Sequence, residues 1–236
     1  MEEIHRHLPL TVLLITAVLL SGCAGTRNPN DPLEPLNRGV YRFNDSIDRI
    51  VIKPVAKGYN AVMPEPGKIM VSNFISNLDD ILVTANDLLQ LKFSQAASDG
   101  SRVLFNTTFG LLGLFDVAHR LEKHKEDFGQ TLGYWGVGSG PYLVLPLLGS
   151  SSVRDGTGLY VDGFASVPYN IQDVPTRNQY YATSGIHRRS ALLDQEKVLD
   201  EAVIDRYDFM RDTYLLYRKN LVYDGNPPRA RYDMDE

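Results

Sequence analysis

A single cysteine, Cys23, occurs in the 236 residues, so no internal disulfide is available to staple the fold. Nor is there a block of Lys and Arg: 24 basic residues stand against 29 acidic ones, for a net charge of −5. That excludes the basic stripe of a nucleic-acid surface, and it leaves no charge-driven attraction to anionic lipid heads. The most apolar stretch, Leu8 to Leu20, is too short for a permanent membrane-spanning helix. Catalytic signatures are missing as well. Ser139 lies between glycines without the outer spacing of a nucleophile elbow, and Gly136 and Gly138 lack the third glycine of a dinucleotide loop. His119 and His124 are five apart and do not share a helical face, so no metal site is expected. The sequence therefore predicts neither an enzyme nor a cofactor-dependent protein.

What is present begins with an address. The run Leu8–Leu20 ends in Leu20-Ser21-Gly22-Cys23, an order that resembles the bacterial lipobox. Residues 1–22 then read as a signal peptide and Cys23 as the lipid-bearing residue of the mature chain. Glu2 and Glu3 depart from the positive n-region usual in such signals. Acyl chains contribute roughly 0.8 kcal/mol per buried methylene, so several make anchoring effectively permanent. Ala24 after the cysteine points to the outer membrane, because lipoproteins of this kind without Asp there are sent to it. The alternatives are a plain secretory signal with a chance free thiol, or a short anchor.

Residues 23–34, rich in Gly, Asn, Asp and Pro, read as a lipidated tether, and 35–223 as one mainly α-helical domain. Val40, Phe43, Ile47 and Ile50 or Val51 recur at helical spacing, with an end expected near Lys53-Pro54. After a Pro-rich turn at 63–67, Val71, Phe74, Ile75, Leu78, Leu82, Ala85 and Leu89 fall on one face of a helix. Asn73, Asn77, Asp80, Thr84 and Asp87 fall on the other. Weaker helical stretches follow at 94–105 and 110–119. The glycines of 136–140 sit between two short apolar flanks and read as the tip of a hairpin-like loop. Beyond 150 the chain looks Gly-broken to Pro168, then irregular to Pro175. A last helix is marked by Leu199, Val203, Tyr207, Met210, Tyr214, Tyr217 and Leu221. Residues 224–236 read as a flexible tail. The carboxylates Asp116, Glu126, Asp127, Asp155 and Asp162 read as caps and as partners of Arg102 or Arg154 rather than as an acid–base pair.

Several strings, taken in order, resemble the MlaA (VacJ) lipoprotein family. They are Asp31-Pro32-Leu33-Glu34-Pro35-Leu36-Asn37-Arg38, Phe43-Asn44, Asn73-Phe74 with Asn77-Leu78, Leu88-Leu89-Gln90, Asn106-Thr107-Thr108, Asp127-Phe128-Gly129-Gln130-Thr131-Leu132-Gly133 and Gly140-Pro141-Tyr142. The likeness spans about 31–165, with Leu91 and Ser150 departing from residues usual in that family. It implies a ring-like helical domain seated in the inner leaflet of the outer membrane, associated with trimeric porins. Phospholipid that has strayed into the outer leaflet would pass through it to a soluble periplasmic lipid carrier. A charged head group needs polar walls inside an apolar exterior, and on that ground Asn73, Asn77, Thr84 and Asp87 are candidates to line its path. The plainer alternative is a surface helix with its polar side in water. Gly136, Gly138 and Gly140 are candidates for a gating loop, against a tight turn that needs positive φ. Phe43 and Asn44 are candidates to position the ring near the anchor. The competing function is a structural or adaptor lipoprotein that scaffolds porins or other envelope proteins.

Overall fold

The computed structural model describes residues 28–196 and 203–228, so Cys23 and Leu199 lie outside the described residues. The domain is mainly helical, as expected. In chain order it runs α1 (Glu34–Ile47), a π-helical turn (Asp48–Ile52), α2 (Lys53–Val62), α3 (Glu65–Leu89), α4 (Phe93–Thr108) and α5 (Phe128–Tyr134). There follow β1 (Tyr142–Leu145), β2 (Gly149–Ser152), α6 (Val153–Ala165), a 3-10 turn (Pro168–Asn170), α7 (Val174–Ala191) and α8 (Arg206–Val222). Among the described residues no helix is long and apolar enough to cross a membrane.

The first helix does not stop before Pro54. The wide turn Asp48–Ile52, in which Lys53 donates its backbone N–H to Asp48, carries the chain into α2 with Pro54 in the first turn. Proline has no N–H to give and its ring crowds the carbonyl four residues back, so a local π-bulge accommodates it where a regular α-helix would break. At the start of the domain Asp31 is fully buried, and Asn30 accepts a backbone hydrogen bond from Tyr142. The segment read as tether is thus stitched into the fold by residue 30.

α3 and α4 form an antiparallel pair. The connection is a Schellman closure: Leu91 N–H donates to Leu88 O (3.0 Å) and Lys92 N–H to Asp87 O (2.9 Å). Leu91 occupies the left-handed position, φ 59°, where glycine is the unstrained residue. A non-glycine there costs about 1 kcal/mol. This accounts physically for the glycine that the resemblance led one to expect at that position.

Two further expectations are corrected. Residues 109–121 are a succession of turns and not a helix. The hairpin lies at Tyr142–Ser152, with Tyr142 opposite Ser152 and Leu145 opposite Gly149. The glycine segment is therefore not its tip but the lead-in from α5, itself helical where a flanking strand was expected. Gly136 (φ 90°) closes α5 with bonds from its own N–H to Gly133 O and from Val137 N–H to Leu132 O. Gly140 also has positive φ, 68°, whereas Gly138 does not. α6 and α7 were not anticipated as helices, although each starts on a side-chain cap, from Ser152 and Asp173 respectively.

Hairpin, α1 and α8 meet in a small aromatic core. Tyr142, Val144 and Tyr207 are buried there, with Val40, Tyr41, Tyr214 and Leu215 packed around them. Tyr207 stands edge-on to Tyr41 and Tyr142, at ring separations of 5.7 and 6.3 Å. Asn37 wires the three elements together. Its side chain donates to Asp31 (2.8 Å) and to Tyr142 O (3.0 Å) and accepts from Val144 N–H (2.9 Å).

Candidate functional site

The interior of the domain is polar. Among the described residues, 22 buried side chains are polar or charged and 8 are hydrophobic. That reverses the usual inventory of a water-soluble core. Large apolar side chains lie outside instead, among them Phe43, Ile50, Val62, Phe105, Phe109, Leu111 and Leu112. Exposed apolar side chains in such number mark a surface that meets another apolar one.

The polar interior is densely wired. Arg218 of α8 grips Asp127, the cap of α5, at 2.5 Å and Asp155 of α6 at 2.9 Å, while Arg154 and Tyr214 also bind Asp155 at 2.8 Å. Burial pushes both carboxyls up, but the Arg218 guanidinium overrides it and holds both below the usual range. α5 and α6 cross as closely as backbones allow. A Cβ on Gly158 would sit 2.2 Å from Gly129 N, so only glycine fits there. Asp162 receives the Phe128 N–H at 2.8 Å, Glu126 binds Gln90 and Lys92, and Arg102 binds Asp116 at 3.0 Å. The five carboxylates singled out in the sequence are thus caps and ion-pair partners.

Between α3, α6, α7, α8 and the strip 123–127 opens a cavity of about 770 Å³, within the size range of small-molecule sites. Its wall mixes apolar side chains (Ile75, Leu82, Val83, Leu159) with charged ones. Arg188 pairs with Asp79 at 2.7 Å, and Lys123 binds Asp80 and Ser76. Burial raises the carboxyls of Asp79 and Asp80 despite these cations. His187, beside Arg188, is pushed down by burial and by that neighbour's charge, which favours the neutral ring near pH 7.

The four polar residues expected to line a path do not line this cavity. Asn77 donates to Thr107 (2.9 Å), Asn73 to Leu114 O (3.2 Å) and Thr84 to Asp80 O (2.8 Å). The first two bonds tie α3 to α4 and to the turn that follows it, and the third stays within α3. Asp87 is fully buried on the same helix, and neither of its carboxylate oxygens has a hydrogen-bond partner. Burial, then the charges of Asp99 and Glu126, push its carboxyl up to about 7. The cavity takes the adjacent face of α3, from Ser72 through Ser76 and Asp79 to Val83. Periodicity separates the polar side from the apolar side but gives no rotation relative to neighbours, and the wall of this cavity falls a fraction of a turn away from the four residues.

Asn44 clamps the hairpin turn to α1, donating to Leu145 O at 2.9 Å and accepting from Leu147 N–H at 2.8 Å, while Phe43 beside it projects outward. Gly136 and Gly138 have open space where a Cβ would stand, whereas a Cβ on Gly140 would press on Val153 at 3.2 Å. The basic strip at 123–125 was missed in the sequence. Its signal is three consecutive residues, Lys123, His124 and Lys125, in a chain whose balance is acidic.

The MlaA lipoprotein family matches residues 29–221. The intermembrane phospholipid transport system lipoprotein MlaA of Escherichia coli K12 is 34% identical over 226 residues, covering 86% of this chain and 88% of its own length. The Haemophilus influenzae protein of that description is 32% identical over 224 residues, covering 90% and 89%. An uncharacterized protein of Rickettsia felis is 41% identical over 152 residues, 61% of each chain. A solved chain from work on the structural basis for maintenance of bacterial outer membrane lipid asymmetry matches with a TM-score of 0.72 at 31% identity. It covers 83% of this chain and 99% of that one.

Proposed function

Because the chain belongs to the MlaA lipoprotein family, we propose that it is an outer-membrane lipoprotein that removes phospholipid from the outer leaflet and passes it toward the periplasm, maintaining lipid asymmetry. The observation that carries this reading is the inversion of polarity. A head group crossing hydrocarbon loses its hydration, at a cost of several kcal/mol for an unpaired polar group. A body with charged side chains inside and leucines and phenylalanines outside replaces that hydration while remaining dissolved in lipid. The cavity beside α3 offers both kinds of wall to an amphiphile.

In this reading Cys23 carries the acyl anchor and the domain sits in the inner leaflet as a ring around the path. Porin trimers pack against part of its apolar flank, and a soluble carrier collects the lipid on the periplasmic side. Gly136, Gly138 and Gly140 give the lead-in to the hairpin the freedom to gate the path. The chain supplies a route and no chemical step, so the driving force comes from its partners.

The test is surface-exposed phosphatidylethanolamine, labelled with a membrane-impermeant amine reagent. Cells lacking the gene are compared with cells restored by wild type or by Cys23→Ala. Accumulation in the deletion, reversed by wild type and not by Cys23→Ala, is the expected result. An unchanged surface in the deletion would overturn transport in favour of the porin-scaffolding alternative.

A further inference from the structure

The strip 122–127, in neither helix nor strand, separates two cavities. Lys123, His124, Lys125, Glu126 and Leu221 belong at once to the wall of the cavity of about 770 Å³ beside α3 and to that of a second, of about 730 Å³, between α4 and the end of α8. The backbone of the strip is pinned from below. Asp99, fully buried, accepts from His124 N–H at 3.2 Å and holds His124 Nδ1 at 2.7 Å. Gln130 donates to Lys125 O at 3.0 Å, and Glu126 is held by Gln90 and Lys92.

The cations of the first cavity are mostly spent on acids of the protein itself: Lys123 on Asp80, Arg188 on Asp79, Arg218 on Asp127 and Asp155. Lys125 differs. Its side chain is exposed on the wall common to both cavities, and among the described residues it makes no ion pair. Beneath it Gln130, also in the cavity wall and almost fully buried, has an amide oxygen without a donor. An uncommitted ammonium on a rigid sill between two chambers fits one phosphate oxyanion and carries it from one chamber to the next.

From this we infer that Lys125 is the contact for the phosphodiester of a glycerophospholipid as its head group passes from the cavity beside α3 to the one beside α4. The inference rests on the transport reading and deepens it. The diester is common to ethanolamine and glycerol heads, so Lys125 serves both.

The experiment uses the full lipidated chain, purified in detergent as wild type, Lys125→Ala, Lys125→Glu and Lys125→Arg. Co-purified phospholipid is quantified by mass spectrometry, and binding of fluorescent phosphatidylglycerol in micelles is titrated with and without millimolar inorganic phosphate. Lys125→Ala is expected to bind roughly threefold to tenfold more weakly, the net value of one solvent-exposed hydrogen bond. Lys125→Glu loses more and Lys125→Arg binds as wild type. Melting temperatures stay unchanged, because no internal partner is lost. Equal binding by all four proteins overturns the assignment of Lys125 while leaving transport standing, whereas a wild type that binds no phospholipid overturns transport itself. A lowered melting temperature in Lys125→Ala overturns the assignment in favour of a structural role. Displacement by inorganic phosphate alone overturns it in favour of a free-anion site.

Discussion

The junction of α8 with α1, the hairpin, α5 and α6 and the seam between α3 and α4 are both rich in buried polar groups, yet they are built on opposite terms. At the junction Asp31, Asn37, Asp127, Asp155 and Arg218 are each satisfied, and Tyr207 donates to Asp31 at 2.5 Å within the aromatic core. At the seam, Asn77, Asp80, Asp87 and Arg102 each keep at least one buried atom with no hydrogen-bond partner. A fully connected polar network rigidifies, and a partly connected one raises the free energy of the folded state. The junction acts as the clamp of the domain. The seam is where water or a proton changes the energy most.

Removing the cation at the centre of the clamp gives the largest expected effect. Arg218→Ala leaves Asp127 and Asp155 buried without their principal partner, and should lower the unfolding free energy by about 3–5 kcal/mol in denaturant titration of the detergent-solubilised protein. A loss below 1 kcal/mol would erase the distinction between the two regions. Next comes Asn37→Ala, which cuts three buried hydrogen bonds, for an expected loss of about 2–3 kcal/mol by the same measurement.

At the seam the sign reverses. The Asp87 carboxyl is pushed up to about 7 in the folded chain, well above the ordinary 3.8 of an aspartate. The folded state therefore binds its proton more tightly than the unfolded state does. Its contribution to stability is fully present below about pH 4 and is lost as pH rises through 7. Asp87→Asn, which mimics the protonated form, should be nearly neutral at pH 4 and stabilising by at least about 2 kcal/mol at pH 8. Equal stability of variant and wild type at pH 8 would show that the seam is as well satisfied as the clamp.

The helical character and the two-faced α3 were legible, because their periodicity is local. The core of the last helix was legible too, from Tyr207 through Leu221, although the helix starts only at Arg206, so that Val203 precedes it and Asp205 caps it. α7 was not. Tyr180, Tyr181, His187 and Arg188 mix polar and apolar groups around a half-exposed helix, and its surroundings blur the periodic signal. The hairpin was displaced because the Gly136 and Gly140 that flag a turn end one element and lead into the next, while the true reversal at Pro146-Leu147-Leu148 contains no glycine.

The site was legible only in part. On α3, Asn73 and Asn77 bond to the following helix and its turn and Thr84 to its own helix, outside the wall of the cavity beside α3. The wall of the cavity falls on the boundary between the faces, at Ser76, Asp79 and Val83. Which side of an amphipathic helix is inside depends on the solvent outside, and a sequence does not carry its solvent with it. Lys125 gives no periodic signal, since its strip belongs to no regular element.

The turn after α4 holds two consecutive leucines in the left-handed region, Leu111 at φ 52° and Leu112 at φ 60°, with both side chains exposed. Gly113 follows at φ 90°, pressed so close to Asn77 that a Cβ would lie 2.6 Å from it. Such a backbone costs about 1–3 kcal/mol per residue, and the exposed leucines recover nothing by burial. The opposing pull comes from within, through Gly113 N–H to Asn106 O and Phe115 N–H to Gly110 O, each at 2.9 Å. The shape of this surface loop is dictated from its polar root, so a change in what surrounds its apolar side does not remould it. Agents that compete for hydrogen bonds are the ones that will let it go.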